Sequence, residues 1–173
     1  MWLGAAGVVE LTATTALVGH DGWGDARLGD HARSLVVLND FFYVADLAGA
    51  GKPELARRLA RLGDESAAHF RRVLPDALER FPHVVVLTHV PPFRDACWHQ
   101  GAISDDHWLP YFTCKAVGDV LIEEASRRPD RRLTVLCGHT HSSGRCRPLP
   151  NLHVVTGAAV YGRPAMQRPL IEV

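Results

Sequence analysis

Cysteine is scarce in this chain: Cys97, Cys114, Cys137 and Cys146 are the only four, and no Cys-x-x-Cys pair occurs. That scarcity excludes a disulfide framework and the common zinc fingers. It points to reduced thiols and a cytoplasmic protein, with Cys137, inside an apolar strand pattern, as a small core residue. Long apolar runs are missing as well. No stretch approaches 18 residues, and the first residues hold neither a basic segment nor a sustained apolar one, so no membrane span and no secretory leader are expected. Net charge is absent too, with Lys plus Arg and Asp plus Glu at 19 each. The chain therefore has no global field to draw in nucleic acid or an anionic membrane, and neither is expected as a partner. Repeats and low-complexity tracts do not occur.

What remains is a chain of 173 residues, 47% hydrophobic, enough for one domain spanning 1–173 with a real core. Val8 to Leu11 and Thr15 to Val18 read as two short strands of a hairpin. His20 to His31, with three glycines and three aspartates, reads as loop. Leu35 to Leu38 and Phe41 to Val44 are apolar enough for a buried strand or a helix start, and periodicity does not choose between them. From Glu54 to Leu74 a helical face of leucines opposes arginines, with Pro75 expected to break or kink it. Gly118 to Arg128 reads as another helix and Leu152 to Thr156 as a strand, with Ser142 to Asn151 a turn-rich tail and Leu170 to Val173 a last short run. Phe93 to Cys114 is the least regular part, and a loop of that length is usually functional or mobile.

Two apolar runs end in histidine. Val84 to Thr88 leads into His89, after which Pro91 and Pro92 stop the strand. Leu133 to Cys137 leads through Gly138 into His139 and His141, which in extended backbone would point the same way. In open α/β sheets the carboxyl ends of strands are where ligands bind. Three imidazoles there favour a metal, since imidazole is the commonest side-chain metal ligand.

At these residues the chain resembles the calcineurin-like metallophosphoesterases. Thr88-His89-Val90-Pro91-Pro92 and Gly138-His139-Thr140-His141 look like that family's last two signature motifs, in the family's order. The resemblance implies an α/β fold of two packed β-sheets flanked by helices (αββα), this chain being the carboxyl-terminal part. It implies hydrolysis of phosphate esters by a metal-bound hydroxide, with His89 and His139 on one divalent ion and His141 on the other. Mn, Fe, Zn or Mg would serve: two ions in an intact member, one or none in this chain.

The family's three earlier motifs, Asp-x-His, Gly-Asp-x-x-Asp and Gly-Asn-His-Asp/Glu, have no clear counterpart here. Gly19-His20-Asp21 follows an apolar run and reads either as the third motif without its asparagine or as a family-like loop after it, with Trp23 a packing anchor. His20, Asp21 and Arg27 are thus candidates for substrate contact, and so are His99, Asp105, Asp106 and His107 in the long loop, with helix capping by Ser104 and Asp105 the alternative. Two functional classes follow: a phosphoesterase whose missing ligands come from a further segment, from a partner chain or from Asp21 and its neighbours, or a non-catalytic relative acting as a metal-binding or interaction protein.

A sandwich lacking one sheet leaves strand edges and apolar surface in water, at about 25 cal/mol per Å². Self-association is the expected consequence, and sedimentation at micromolar concentration checks it; a stable monomer with no large apolar patch would remove the expectation.

Overall fold

The computed structural model describes residues 3–166, so the apolar run Leu170 to Val173 lies outside the described residues. The elements in chain order are α1 (Leu3–Ala6), β1 (Val9–Thr12), β2 (Thr15–Gly19), α2 (Asp40–Tyr43), α3 (Lys52–Arg80), β3 (His83–Leu87), β4 (Trp98–His99), β5 (Ala102–Ile103), α4 (Leu109–Phe112), α5 (Lys115–Arg127), β6 (Arg132–Cys137), β7 (Gly144–Leu149) and β8 (Leu152–Thr156). The fold is α/β. One mixed sheet runs β1-β2-β3-β6-β8-β7, and β4 and β5 form a separate hairpin. Strands β2, β3, β6 and β8 are mutually parallel, while β1 and β7 close the two edges antiparallel.

Two rows of side chains cross the parallel strands in register. Ala16, Val84, Leu133 and Leu152 form one, and Val18, Val86, Val135 and Val154 the other. All eight are buried, together with Phe70, Leu74, Ala77 and Leu78 of α3 and Val117, Val120 and Leu121 of α5. The alternate positions, Leu17, Val85, Thr134 and His153, project to the opposite face. Among the described residues no helix is long and apolar enough to cross a membrane.

Helix α3 runs unbroken for 29 residues, through Pro75. The expected break there does not occur. An internal proline costs about 3 kcal/mol; Phe70 and Leu74 before it and Leu78 after it are fully buried, and such side chains contribute about 1.5–3 kcal/mol each. Packing on the sheet therefore wins. Residues 35–44 are neither strand nor buried run: Leu35 is 89% exposed and Val37 67%, and only a single helical turn, α2, forms. Val36, Leu38, Phe41 and Val44 pack, partly buried, against a second cluster around Leu59, Leu109 and Tyr111. Strand β7 lies in what reads as a turn-rich tail; Pro148 is tolerated because β7 is an edge.

Two polar side chains fasten α5. The buried Asp25 carboxylate accepts from the Ala116 backbone N–H at 2.8 Å and from Arg27, which also reaches Asp64 on α3. At the other end the Asn151 amide donates toward the carbonyls of Ala125, Arg128 and Arg131, at 2.9, 3.1 and 3.0 Å. All four cysteines are unpaired. Burial raises Cys97 and Cys146 to about 11 and Cys114 and Cys137 to about 12, so none is a ready thiolate.

His83 is held between neighbours on β6. Arg132 donates to Nδ1 at 2.9 Å, which leaves Nε2–H to donate to Thr134 Oγ1 at 2.9 Å. Burial, then the Arg132 cation and His153, push its pKa down to about 4. An unfolded histidine titrates near 6.5, so the neutral ring contributes fully above about pH 6.5, and that contribution is lost as pH falls toward 4. Urea midpoints of the wild-type chain should fall across that window more steeply than those of His83→Gln; equal slopes would show that His83 does not carry the effect.

Candidate metal centre

The strand ladder between β3 and β6 does not stop where the strands do. Thr88 N–H donates to the Leu136 carbonyl at 3.1 Å and Gly138 N–H to the His89 carbonyl at 2.9 Å. The two loops leave the sheet side by side. Their rings meet: His139 Nδ1 lies 2.9 Å from His89 Nε2, with ring centroids 4.7 Å apart. One of the two nitrogens must carry the shared hydrogen, and the other presents a lone pair.

The segment that carries His139 and His141 is not extended. Both have left-handed backbone, φ +66° and +59°, and Thr140 N–H returns to the Gly138 carbonyl at 2.8 Å, closing a tight turn about His139. Strand alternation therefore does not govern where these two rings point. His141 packs its ring on Tyr161, with centroids 4.6 Å apart, and reaches the pair only through its field, which lowers the pKa of both other histidines.

Aromatic rings wall the pair on its inner side. Trp23 stacks on His89 at 5.3 Å and 18°, and meets His139 edge-on at 5.1 Å; Phe112 meets His139 at 5.0 Å. Trp23 arrives there because its loop is stitched to β3: His20 N–H bonds the Leu87 carbonyl at 3.0 Å, and His89 N–H bonds the Asp21 carbonyl at 2.8 Å. Next to it Gly24 lies against the Tyr111 backbone, where an added Cβ would come within 2.3 Å of the carbonyl oxygen. Burial, then His89 and His141, push His139 down to about 3, against the pull of the Tyr111 carbonyl. His89 keeps an open outer edge, yet the protein packed around its ring lowers it as well, against the opposing fields of Asp40 and Asp21. Both rings are therefore neutral at pH 7, the state in which imidazole binds a metal.

A cleft of about 460 Å³ opens beside the pair, between α1 and the ends of β2, β3 and β6, and His20, Asp21, Thr88 and His89 are its polar walls. His20 Nδ1 has the Gly22 N–H at 3.0 Å, the Asp21 carboxylate at 3.0 Å and the Ser66 hydroxyl at 3.2 Å. All three sit on one nitrogen. A Ser-His-Asp relay needs its partners on opposite ring nitrogens, so the cluster is not one.

The other candidate residues go elsewhere. Arg27 joins Asp25 to Asp64. His99 donates from Nδ1 to the Thr140 carbonyl at 3.1 Å, behind the histidine turn. Asp105 accepts from the N–H groups of His107 and Trp108 in the turn ahead of α4, whose N-cap residue Trp108 makes no side-chain cap hydrogen bond; Asp106 pairs with Arg94 at 2.7 Å; His107 is exposed and its carbonyl accepts from Ser34. Among the described residues no three of His, Cys, Asp or Glu are grouped to hold an ion. Catalytic zinc sites take three protein ligands and structural ones four. The imidazole pair fits part of such a centre and does not close one.

Neither a family model nor a curated protein matches this sequence. Among solved structures the fold is similar to that of a dimetal phosphatase from Danio rerio, at 15% identity and a TM-score of 0.49, over 87% of this chain and 48% of that one. This chain thus spans about half the length of that protein. A likeness of that size does not extend to chemistry, residues or substrate.

Sequence reasoning placed Trp23 as a packing anchor but not its contact with both imidazoles, and it did not single out Phe112 or Asp40. No local pattern marks them, since each reaches the pair through tertiary folding. Trp23→Ala should cost about 2–4 kcal/mol, near the lower end of large-to-small core changes because the ring is partly exposed. It should also free the His89 ring. Urea unfolding and the ring proton shifts of His89 by NMR measure the two effects; unchanged shifts would show that Trp23 does not hold the ring.

Proposed function

We propose that this chain is part of a metal-dependent phosphoesterase, in which His89 and His139 supply neutral imidazole to one divalent ion and His141 to a second. The observation that carries the reading is the 2.9 Å approach of His89 Nε2 to His139 Nδ1 at the carboxyl ends of adjacent parallel strands. The motif resemblance around Thr88 to Pro92 and Gly138 to His141 supports it. Bound divalent ions polarise a phosphoryl oxygen and lower the pKa of water. The residues here hold lone pairs in place: Trp23 and Phe112 shield the inner side, and the cleft walled by His20 and Asp21 leaves room for a phosphate ester. Further ligands, including a carboxylate to bridge two cations, come in this reading from another segment or a partner chain.

A second reading, a non-catalytic relative that binds one ion or none, is favoured by the lack of a third grouped donor among the described residues. Titration with Co²⁺ or Mn²⁺ tests the ion site, and turnover separates the two readings. The proposed reading expects one ion bound weakly, with affinity falling at least about tenfold in His89→Ala and in His139→Ala, the scale on which ligand surroundings act. With added Mn²⁺ this chain should hydrolyse an aryl phosphate much more slowly than a complete two-metal enzyme, and His139→Ala should abolish what turnover there is. No ion-dependent change in the wild-type chain, or turnover indifferent to His139→Ala, would overturn it.

A further inference from the structure

The turn that carries His139 and His141 holds two non-glycine residues in left-handed backbone. Such conformations are strained and persist only where surrounding structure over-determines them. The β4–β5 hairpin is that surrounding structure. It is a two-residue hairpin with Gln100 and Gly101 at its tip, both at positive φ, +50° and +84°, the signature of a type I′ turn.

The hairpin grips the histidine loop at three successive points. His99 Nδ1–H donates to the Thr140 carbonyl at 3.1 Å, Gln100 N–H donates to Ser142 Oγ at 3.2 Å, and the Trp98 indole lies over Gly144, where an added Cβ would meet Trp98 Cδ1 at 2.1 Å. The His99 ring is itself held, by Trp108 at 4.8 Å and Phe112 at 5.2 Å, and Phe112 also touches His139. One aromatic ring thus packs on both histidines while the other end of the clamp fixes the peptide between His139 and His141.

We propose that the β4–β5 hairpin is a clamp that holds the His139–His141 turn in its left-handed form, and that His99 is its positioning residue, acting through the Thr140 carbonyl on the imidazole pair. The clamp concerns the geometry of the pair and holds whatever the pair binds.

Hydrogen exchange and NMR on the whole chain test it without any ion or substrate. His99→Phe keeps the ring against Trp108 and Phe112 and removes the donor; His99→Asn puts an amide N–H near the place of Nδ1–H. A net hydrogen bond of this kind corresponds to roughly tenfold in an opening equilibrium. The amides of Thr140, bonded to Gly138, and of Ala159, bonded to the His141 carbonyl, should exchange about tenfold faster in His99→Phe, the ring contact between His89 and His139 should weaken, and His99→Asn should restore both, with α3 unchanged throughout. Wild-type exchange in His99→Phe would overturn the proposal. Equal loosening in His99→Phe and His99→Asn would overturn it too, since ring packing rather than the donated hydrogen would then be the cause. Should His99→Phe not fold, Gly144→Ala takes its place: displacing Trp98 should loosen the same two amides while His99→Asn stays tight, and wild-type exchange in Gly144→Ala would overturn the clamp.

Discussion

Everything at the candidate site depends on the parallel pairing of β3 with β6. Register between two parallel strands leaves no freedom in what their carboxyl ends present, because side chains alternate with a period of two and neighbours are locked by the ladder. Here the ladder extends past both strands, through Thr88 to Leu136 and Gly138 to His89. The imidazoles meet because the peptides beneath them are already joined. A slip of one residue in β3 would put Val84 and Val86 on the wrong face, and one in β6 would do the same to Leu133 and Val135; either would part the rings, so the core and the pair are specified together.

The histidine pair was legible because apolar runs that end in histidine, followed by proline or preceded by glycine, are strand ends in an α/β sheet. The argument from spacing was less sound. Positions two apart share a side only in extended backbone, and His139 and His141 are left-handed, a conformation no residue type at those positions announces. Strand β7 was hidden by Pro148 and by the alternation of Arg145 and Arg147 with weakly apolar neighbours, which is edge chemistry rather than turn chemistry. The exposed Leu35 and Val37 misled in the other direction. A run of four aliphatic residues reads as buried, yet alternate members of this one are only partly so and the others are exposed. Gln100-Gly101 is a hairpin signal in hindsight, but its strands are two residues long and fell below the length at which alternation can be seen.

Charge and burial act together around the pair. A ring as enclosed as His139 resists protonation because its cation would lose water and gain two imidazole neighbours. The same enclosure would favour any cation bound at the open edge of the pair only if anions were close by, and Asp40 and Asp21 are the carboxylates whose fields His89 feels. They moderate the local cost of positive charge without closing a ligand set.

The end of α5 rests on a single nitrogen atom. Asn151 Nδ2 has two hydrogens and three carbonyl oxygens within 3.1 Å, so at least one hydrogen is shared between two acceptors. Hydrolysis of the side-chain amide, which takes up water and releases ammonia, would replace that nitrogen by oxygen with almost no change in side-chain shape. At this position the exchange of one atom turns a cluster of attractions into a carboxylate facing three lone-pair-bearing oxygens, and the helix end, the β6 entry and the β8 start would be pushed apart from a common point. A change from Asn151 to Asp is thus small in volume and reverses the sign of the interaction at all three carbonyls.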